Sequence, residues 1–329
     1  MKTKVVRIIA IVMLVVLILA LGTLISGAIA KSSLAKQYPA PGQLIDVGGY
    51  KMHINCTGQG SPTVILAAGT ADFSTTWAYV QPEVAKLTRV CAYDRAGLGW
   101  SEPSPLPRTA GTTVEELHAL LVNAKIPGPY VLVGHSLGGM HMRQYAHNYP
   151  DEVVGLVQVD SLHEDQPILD PVYTKANQAD VRPFRVFALL NSSGIMALAP
   201  QSIPNQGLPD DAYAQYQASL ATTNFFKTTL AEIDAQAGNC AEVRALKITS
   251  FGDMPLIVLS RGRAGGSASL SDAENQQSWD VWKALQPKLA ALSSTGKQII
   301  AEQSGHMVQF DQPKLVIDAI REMVAELRK

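Results

Sequence analysis

Hydrophobic and polar positions follow two regimes along the chain. From Ile8 to Ala30 the 23 residues IIAIVMLVVLILALGTLISGAIA carry no charge. As a helix this run would extend roughly 35 Å at about 1.5 Å per residue, enough to span the hydrocarbon core of a membrane. Lys2, Lys4 and Arg7 precede it and Lys31 and Lys36 follow it. With the terminal amine, the excess of positive charge lies on the N-terminal side, which predicts a globular part outside the cytoplasm. Residues 1–35 are therefore read as an uncleaved single-pass anchor in the cell membrane, because the run exceeds the usual ~7–15 residue core of a signal peptide. The alternative is a cleaved signal leaving a secreted or periplasmic protein, since Ala28-Ile29-Ala30 has the small-x-small form that signal peptidase accepts.

Beyond residue 40 short apolar runs alternate with stretches whose apolar residues recur at helical spacing, the pattern of an α/β sheet covered by helices. Strands are predicted at 43–47, 50–56, 63–67, 89–93, 130–133, 155–159, 255–260 and 298–302. Helices are predicted at 77–87, 113–124, 137–148, 276–292 and 313–327. From about Glu164 to Gly252 the alternation stops, and helical patterns such as 210–221 and 225–237 occur without a strong strand. The expected organisation is a core of residues 36–163 and 253–329, with residues 164–252 inserted as a helical cap.

Composition narrows the functional classes. Hydrophobic residues make up 47% of the 329, ample for a core, and 27 basic residues nearly balance 28 acidic ones. No global field recruits nucleic acid, so selectivity has to reside in a site. No internal repeat, low-complexity tract, C-x-x-C pair, phosphate-binding G-x-x-x-x-G-K-[ST] or dinucleotide fingerprint is present, which predicts neither a metal site nor an organic cofactor.

Candidate chemistry concentrates in YVLVGHSLGGMHMRQYA, residues 130–146. A serine projecting between a strand and a helix requires a sharp turn, and side chains on its neighbours would strike the strand and helix backbones. Gly134-His135-Ser136-Leu137-Gly138 meets that requirement as a G-x-S-x-G nucleophile elbow. With this motif, the chain from about residue 43 resembles the α/β-hydrolase family, whose motifs appear here in the family's order. AAGTADFSTTW, residues 67–77, is similar to the family's oxyanion loop, with Ala68 in place of the usual histidine. The resemblance implies an eight-stranded, mostly parallel sheet, and oxyanion donors at the Thr70 and Leu137 amides. In CAYDRAGLGWSE, residues 91–102, Asp94, Arg95 and Gly97 are expected to shape a loop rather than do chemistry.

A serine hydroxyl needs a base to take its proton. His306, in AEQSGHMVQFDQP, matches the family's final motif and is the expected general base. His135 is expected to point away from the apex of the elbow, and His53, His118 and His147 to serve packing or the surface. His141 and His163 are candidates for substrate contact. The family's acid usually follows the seventh strand, but that strand ends in Arg261 and Arg263 and offers no carboxylate before Asp272. Some members carry the acid after the sixth strand, which here ends at Asp160. Asp160 is preferred, Asp272 is the alternative acid, and Asp165 and Glu274 are lesser candidates.

Serine at the elbow argues against epoxide hydrolases and haloalkane dehalogenases, which attack through a carboxylate. The expected activity is cleavage of a small or medium apolar carboxylic ester, thioester or lactone through an acyl-enzyme. The expected partners are that small-molecule ester and a membrane, met through the N-terminal helix. A C–C bond hydrolase, a cofactor-free peroxidase or a non-catalytic receptor remain alternatives. Phe184, Phe187, Met196, Phe225 and Phe226 would line an apolar pocket or form the cap's own small core. In the family's strand order the strands bearing Cys56 and Cys91 are neighbours, so these two form either a cross-strand disulfide or two buried thiols, with Cys240 unpaired.

Overall fold

The computed structural model describes residues 2–329, with the backbone alone described at residues 2 and 177–180. Eight strands form one sheet: β1 (Gln43–Asp46), β2 (Lys51–Thr57), β3 (Thr63–Ala67), β4 (Val90–Tyr93), β5 (Tyr130–His135), β6 (Val153–Val159), β7 (Leu256–Arg261) and β8 (Lys297–Ala301). Their order is β1-β2-β4-β3-β5-β6-β7-β8. β1 and β2 pair antiparallel, β2 lies antiparallel to β4, and every later pairing is parallel. This is the α/β-hydrolase architecture expected from the alternation and the motifs.

The helices are α1 (Lys2–Gln37), α2 (Gln81–Val84), α3 (Ala110–Asn123), α4 (Leu137–Asn148), α5 (Gln166–Leu169), α6 (Tyr173–Asp180), α7 (Arg182–Ser192), α8 (Ile195–Leu198), α9 (Asp210–Thr222), α10 (Phe225–Ala245), α11 (Asp272–Ala290), α12 (Val308–Asp311) and α13 (Pro313–Glu326). Six of them, α5 to α10, lie between β6 and β7, and among the described residues that insertion contains no strand.

β3, β4 and β5 are buried along their whole length, which is why they read as uninterrupted apolar runs rather than as alternating strands. Alternate residues of β5 serve opposite layers: Leu132 packs with Leu117 and Leu121 of α3 and Met142 of α4, while Val131 and Val133 pack with Val316, Ile320 and Met323 of α13. The helix expected over 77–87 is instead a 3₁₀ turn at Ser74–Trp77 followed by the single turn of α2. Pro82 fits only the first turn of a helix and so divides the apolar run. α11 begins earlier than expected because Ser271 and Glu274 form a reciprocal capping box.

Cys56 and Cys91 face each other in the β2–β4 register and are joined by a disulfide, while Cys240 is a buried free thiol. The bridge belongs to the antiparallel edge, one strand away from β3.

α1 is 36 residues long and continues beyond the apolar run on both sides. It packs against α8 and α9. Thr23, Gly27, Ala30, Lys31 and Leu34 are its less exposed positions, and their spacing of three to four residues marks one helix face. On that face the backbones meet: a Cβ added at Gly27 would lie 2.8 Å from the carbonyl carbon of Gly194. Lys31 Nζ donates to Asn191 Oδ1 at 3.2 Å. Only residues 38–42 separate α1 from β1, and they are held too. Trp100 Nε1 donates to the Tyr38 carbonyl at 3.1 Å, and His53 Nε2 contacts the Pro41 carbonyl.

Candidate active site

Ser136 sits at the turn from β5 into α4 with φ 50° and ψ −121°, a region that non-glycine residues occupy at a cost of order 1–3 kcal/mol. The surrounding geometry explains why the turn persists. A Cβ at Gly134 would lie 2.5 Å from the Gly139 backbone, and one at Gly138 would lie 2.5 Å from the Ala68 carbonyl oxygen. Either substitution would force apart the backbones that meet there. The Ser136 amide donates to Val159 of β6, and its carbonyl accepts from Leu162, so the turn is clamped to the neighbouring strand. Leu137 is the first residue of α4, where unpaired amides and the helix dipole favour negative charge.

Asp160 lies just past the end of β6, fully buried and with φ 42°. Its Oδ2 is 2.5 Å from Nδ1 of His306. Its Oδ1 accepts from the Arg261 amide and from Trp282 Nε1, each at 3.0 Å. Burial alone would raise the carboxyl pKa, but His306, through its hydrogen bond and charge, and Arg261 outweigh burial and hold it below the ordinary carboxylate value. Arg261 spreads its guanidinium over Trp282 and Trp279, 4.6 and 5.3 Å from the ring centroids. β7 therefore supplies this carboxylate with a cation and an amide rather than with a second acid.

His306 follows β8, its ring against the edge of Trp282 and 4.6 Å from the ring of His135 between centroids. Both His306 and Ser136 line a cavity of about 490 Å³ whose walls include Thr70, Asp72 and side chains of the inserted helices, among them Phe184 and Phe226. Thr70 places a buried, unpartnered Oγ1 beside that space. Phe225 and Phe226 both line the cavity and belong to a core cluster with Phe73 and Leu98, so the inserted helices use these aromatics for packing and lining alike.

The remaining candidates lie elsewhere. His141 does not line the cavity; it is buried on α4, where burial and then Arg95, Arg108 and Arg143 depress its pKa well below the usual imidazole value. His163 does not line it either, and its Nδ1 accepts from the Asp165 amide at 3.0 Å. Helical direction explains the first, because α4 turns that position into the interior. Asp272 is exposed in the first turn of α11, Asp165 precedes α5, and Glu274 is engaged by Ser271 and Lys175. None of these three contacts His306. Among the described residues no group of three His, Cys, Asp or Glu side chains converges to hold a metal ion.

His135 departs from expectation. Its ring does not turn away from the site: it lines the cavity, and Nε2 donates to the His306 carbonyl at 2.9 Å. Burial, and then the neighbouring His306, lower its pKa to about 3, so it is neutral. With the proton on Nε2, its Nδ1 carries a lone pair that faces Asp72 Oδ2 at 4.0 Å. Asp72, in the loop after β3, carries no motif signal, because a backbone donor expected there makes no demand on that side chain. Burial, opposed by Arg95 and reinforced by Glu232, pushes its pKa up to about 7.

The sign of the resulting pH dependence follows from that shift. Between the ordinary carboxylate value of 3.8 and about 7, unfolded Asp72 is ionised while folded Asp72 holds its proton, so stability falls as pH rises through that window. Asp72→Asn should melt at a higher temperature than wild type at pH 8, and the two should converge at pH 4. Equal differences at both values, in thermal melts followed by circular dichroism, would show that Asp72 is not titrating in this window.

Arg95 also proves structural in a specific way. Its Nη1 and Nη2 donate to the Ala68 and Gly69 carbonyls at 2.5 and 2.7 Å, and the same guanidinium grips Glu232 of α10 through Nε and Nη2 at 2.6 and 2.9 Å. A single buried side chain thus joins the loop after β3 to the inserted helices. Asp94 organises the other end of that loop. It accepts from the Ser74 and Trp100 amides and pairs with His53 Nδ1 at 2.8 Å.

The profile described as "Alpha/beta hydrolase family" matches residues 64–319. A protein of Hormonema carpetanum named probable transporter efuK is 26% identical over 309 residues, covering 86% of this chain and 42% of that one, so the chain spans less than half of that curated relative's length. Among solved structures, the epoxide hydrolase CorEH superposes with a TM-score of 0.63 at 20% identity, over 87% of this chain and 98% of the other. An esterase from Thermogutta terrifontis superposes at 0.59 with 21% identity, over 87% and 99%. These two likenesses are of fold.

Proposed function

The chain belongs to the α/β-hydrolase family, and from that premise we propose that it is a serine hydrolase cleaving carboxylic esters, thioesters or lactones through an acyl-enzyme. The observation that carries this reading is the 2.5 Å contact between buried Asp160 and Nδ1 of His306, a residue that lines the same cavity as Ser136 in its strained turn. Ser136 Oγ attacks the carbonyl carbon while His306 Nε2 takes its proton. His306 then protonates the leaving group, and later activates the water that releases the acid. Asp160 keeps the His306 proton on Nδ1 and stabilises the imidazolium. The amides of Thr70 and Leu137 receive the oxyanion, each worth on the order of 3 kcal/mol to the barrier.

A hydroxyl nucleophile favours this chemistry over the carboxylate attack of epoxide hydrolases, despite the shared fold. The apolar cavity walls suit an apolar acyl group. The same reading makes α1 an anchor, with the catalytic unit outside the cytoplasm. Its support is the uncharged run, the basic residues ahead of it, and the unbroken helix through Ala28–Ala30. A disulfide is also at home in an oxidising compartment.

A fluorophosphonate probe should label the wild-type protein and leave Ser136→Ala unlabelled. Absence of labelling in folded wild type would remove the hydrolase reading.

A further inference from the structure

The inserted helices carry apolar side chains on their outer surface as well as around the cavity. On α7, Arg182, Arg185, Val186 and Leu189 recur at i, i+3, i+4 and i+7 and all are exposed, Leu189 to 70%. On α8, Ile195 and Leu198 are likewise exposed. α7 and α8 are in contact, and α1 packs against α8 as well as α9.

The position of α1 orients this surface. Lys31 is the first charge after the uncharged run, and Gly27 lies one helical turn earlier, about 6 Å toward the apolar side. Gly27 is the residue whose backbone meets Gly194, immediately ahead of α8. An α1 that spans a bilayer therefore brings Ile195 and Leu198 to the boundary between acyl chains and headgroups. Val186 and Leu189 are exposed on α7, which contacts α8, and Arg182 and Arg185 have long stems that let their charges reach the headgroup layer. The linkage is not a loose tether, since Tyr38 and Pro41 are bonded to the catalytic unit by Trp100 and His53. The cavity wall is part of the same structure: Phe184 and Phe187 of α7 and Met196 of α8 line it, and Phe187 also reaches the surface at 40% exposure.

We propose that this face of α7 and α8 rests in the membrane interface and that the cavity is filled from the bilayer, which makes the substrates esters dissolved in lipid, with a long acyl chain, rather than esters dissolved in water. This rests on the esterase reading above and names its substrate class.

The test uses the full-length protein in lipid nanodiscs. Bimane placed through Leu189→Cys and Leu198→Cys should lose emission to lipids brominated on their acyl chains, whereas bimane at Asp151→Cys, beyond the opposite end of the sheet, should not. In a second arm, the Leu189→Glu/Leu198→Glu variant should hydrolyse bilayer-embedded 1-palmitoylglycerol about 10-fold more slowly than wild type, because each carboxylate resists the interface. Its rate on p-nitrophenyl butyrate should be unchanged, since neither leucine lines the cavity. Emission at 189 and 198 no more quenched than at 151, or equal rates of both proteins on the embedded ester, would overturn the proposal. Quenching at both positions in a protein that cleaves neither ester would support the membrane-seated face and overturn the esterase reading instead.

Discussion

Asp160→Asn should lower ester turnover by about 10⁴-fold, whereas Asp272→Asn should leave it unchanged. The size of the first effect comes from the direction of one amide. The Arg261 amide and Trp282 Nε1 both donate to Oδ1, so in the variant they hold the carboxamide oxygen at that position. The amide NH₂ is then forced onto the side that faces His306 Nδ1. A neutral imidazole accepting a hydrogen bond at Nδ1 carries its own proton on Nε2, turned toward the cavity, and cannot take one from Ser136. Arg261 Nη1, 3.4 Å from the original Oδ2, adds repulsion rather than relief. Turnover of p-nitrophenyl butyrate by both variants, with folding matched by circular dichroism, measures the contrast. Loss in Asp272→Asn alone would reverse the assignment of the acid.

Glu232→Ala should destabilise the protein by about 3–5 kcal/mol, lowering the melting temperature on the order of 10 °C, because it leaves the Arg95 guanidinium buried without its carboxylate. Replacing both partners by apolar residues, Arg95→Met with Glu232→Leu, should restore most of that stability, since the desolvation of both charges is then removed. Turnover in the double variant should nevertheless stay below wild type. The Ala68 and Gly69 carbonyls lose their donor in the double variant, and the loop bearing Thr70 loses the contact that holds its shape. Stability and turnover recovering together would reduce Arg95 to a packing role. Thermal melts and turnover on one soluble ester separate the outcomes.

Much of this arrangement is readable before any coordinates. Strands buried on both faces announce themselves as short apolar runs, and the eight expected strands lie within about two residues of those observed. α4 is bounded as expected, because the glycines of the elbow and Tyr149-Pro150 punctuate it. The misreadings share a cause: they depend on where a side chain points once distant segments meet. His135 was expected away from the site, yet it contacts His306, which lies 171 positions further along. His141 falls near the elbow in sequence, but its helix carries it into the interior. Asp72 left no periodic or motif signal, and its raised pKa arises only when the oxyanion loop is buried beside Glu232 of α10. The expectation that Arg95 shapes a loop is correct in kind, but its second grip on α10 spans 137 positions. The choice between Asp160 and Asp272 stayed open in sequence because a strand-end aspartate is ordinary, and what distinguishes this one is Arg261 and Trp282 facing it.

The five residues between α1 and β1 span roughly 20 Å even when fully drawn out, and two of their carbonyls are already committed to the catalytic unit. With α1 in a bilayer, so short a leash gives the unit almost no radius of action. On the proposed membrane-seated reading it would process what diffuses laterally in the leaflet it stands on, and it could not stretch across to an apposed vesicle or cell. Its working concentration of substrate is then a quantity per unit area, and dilution of the surrounding medium leaves that quantity untouched.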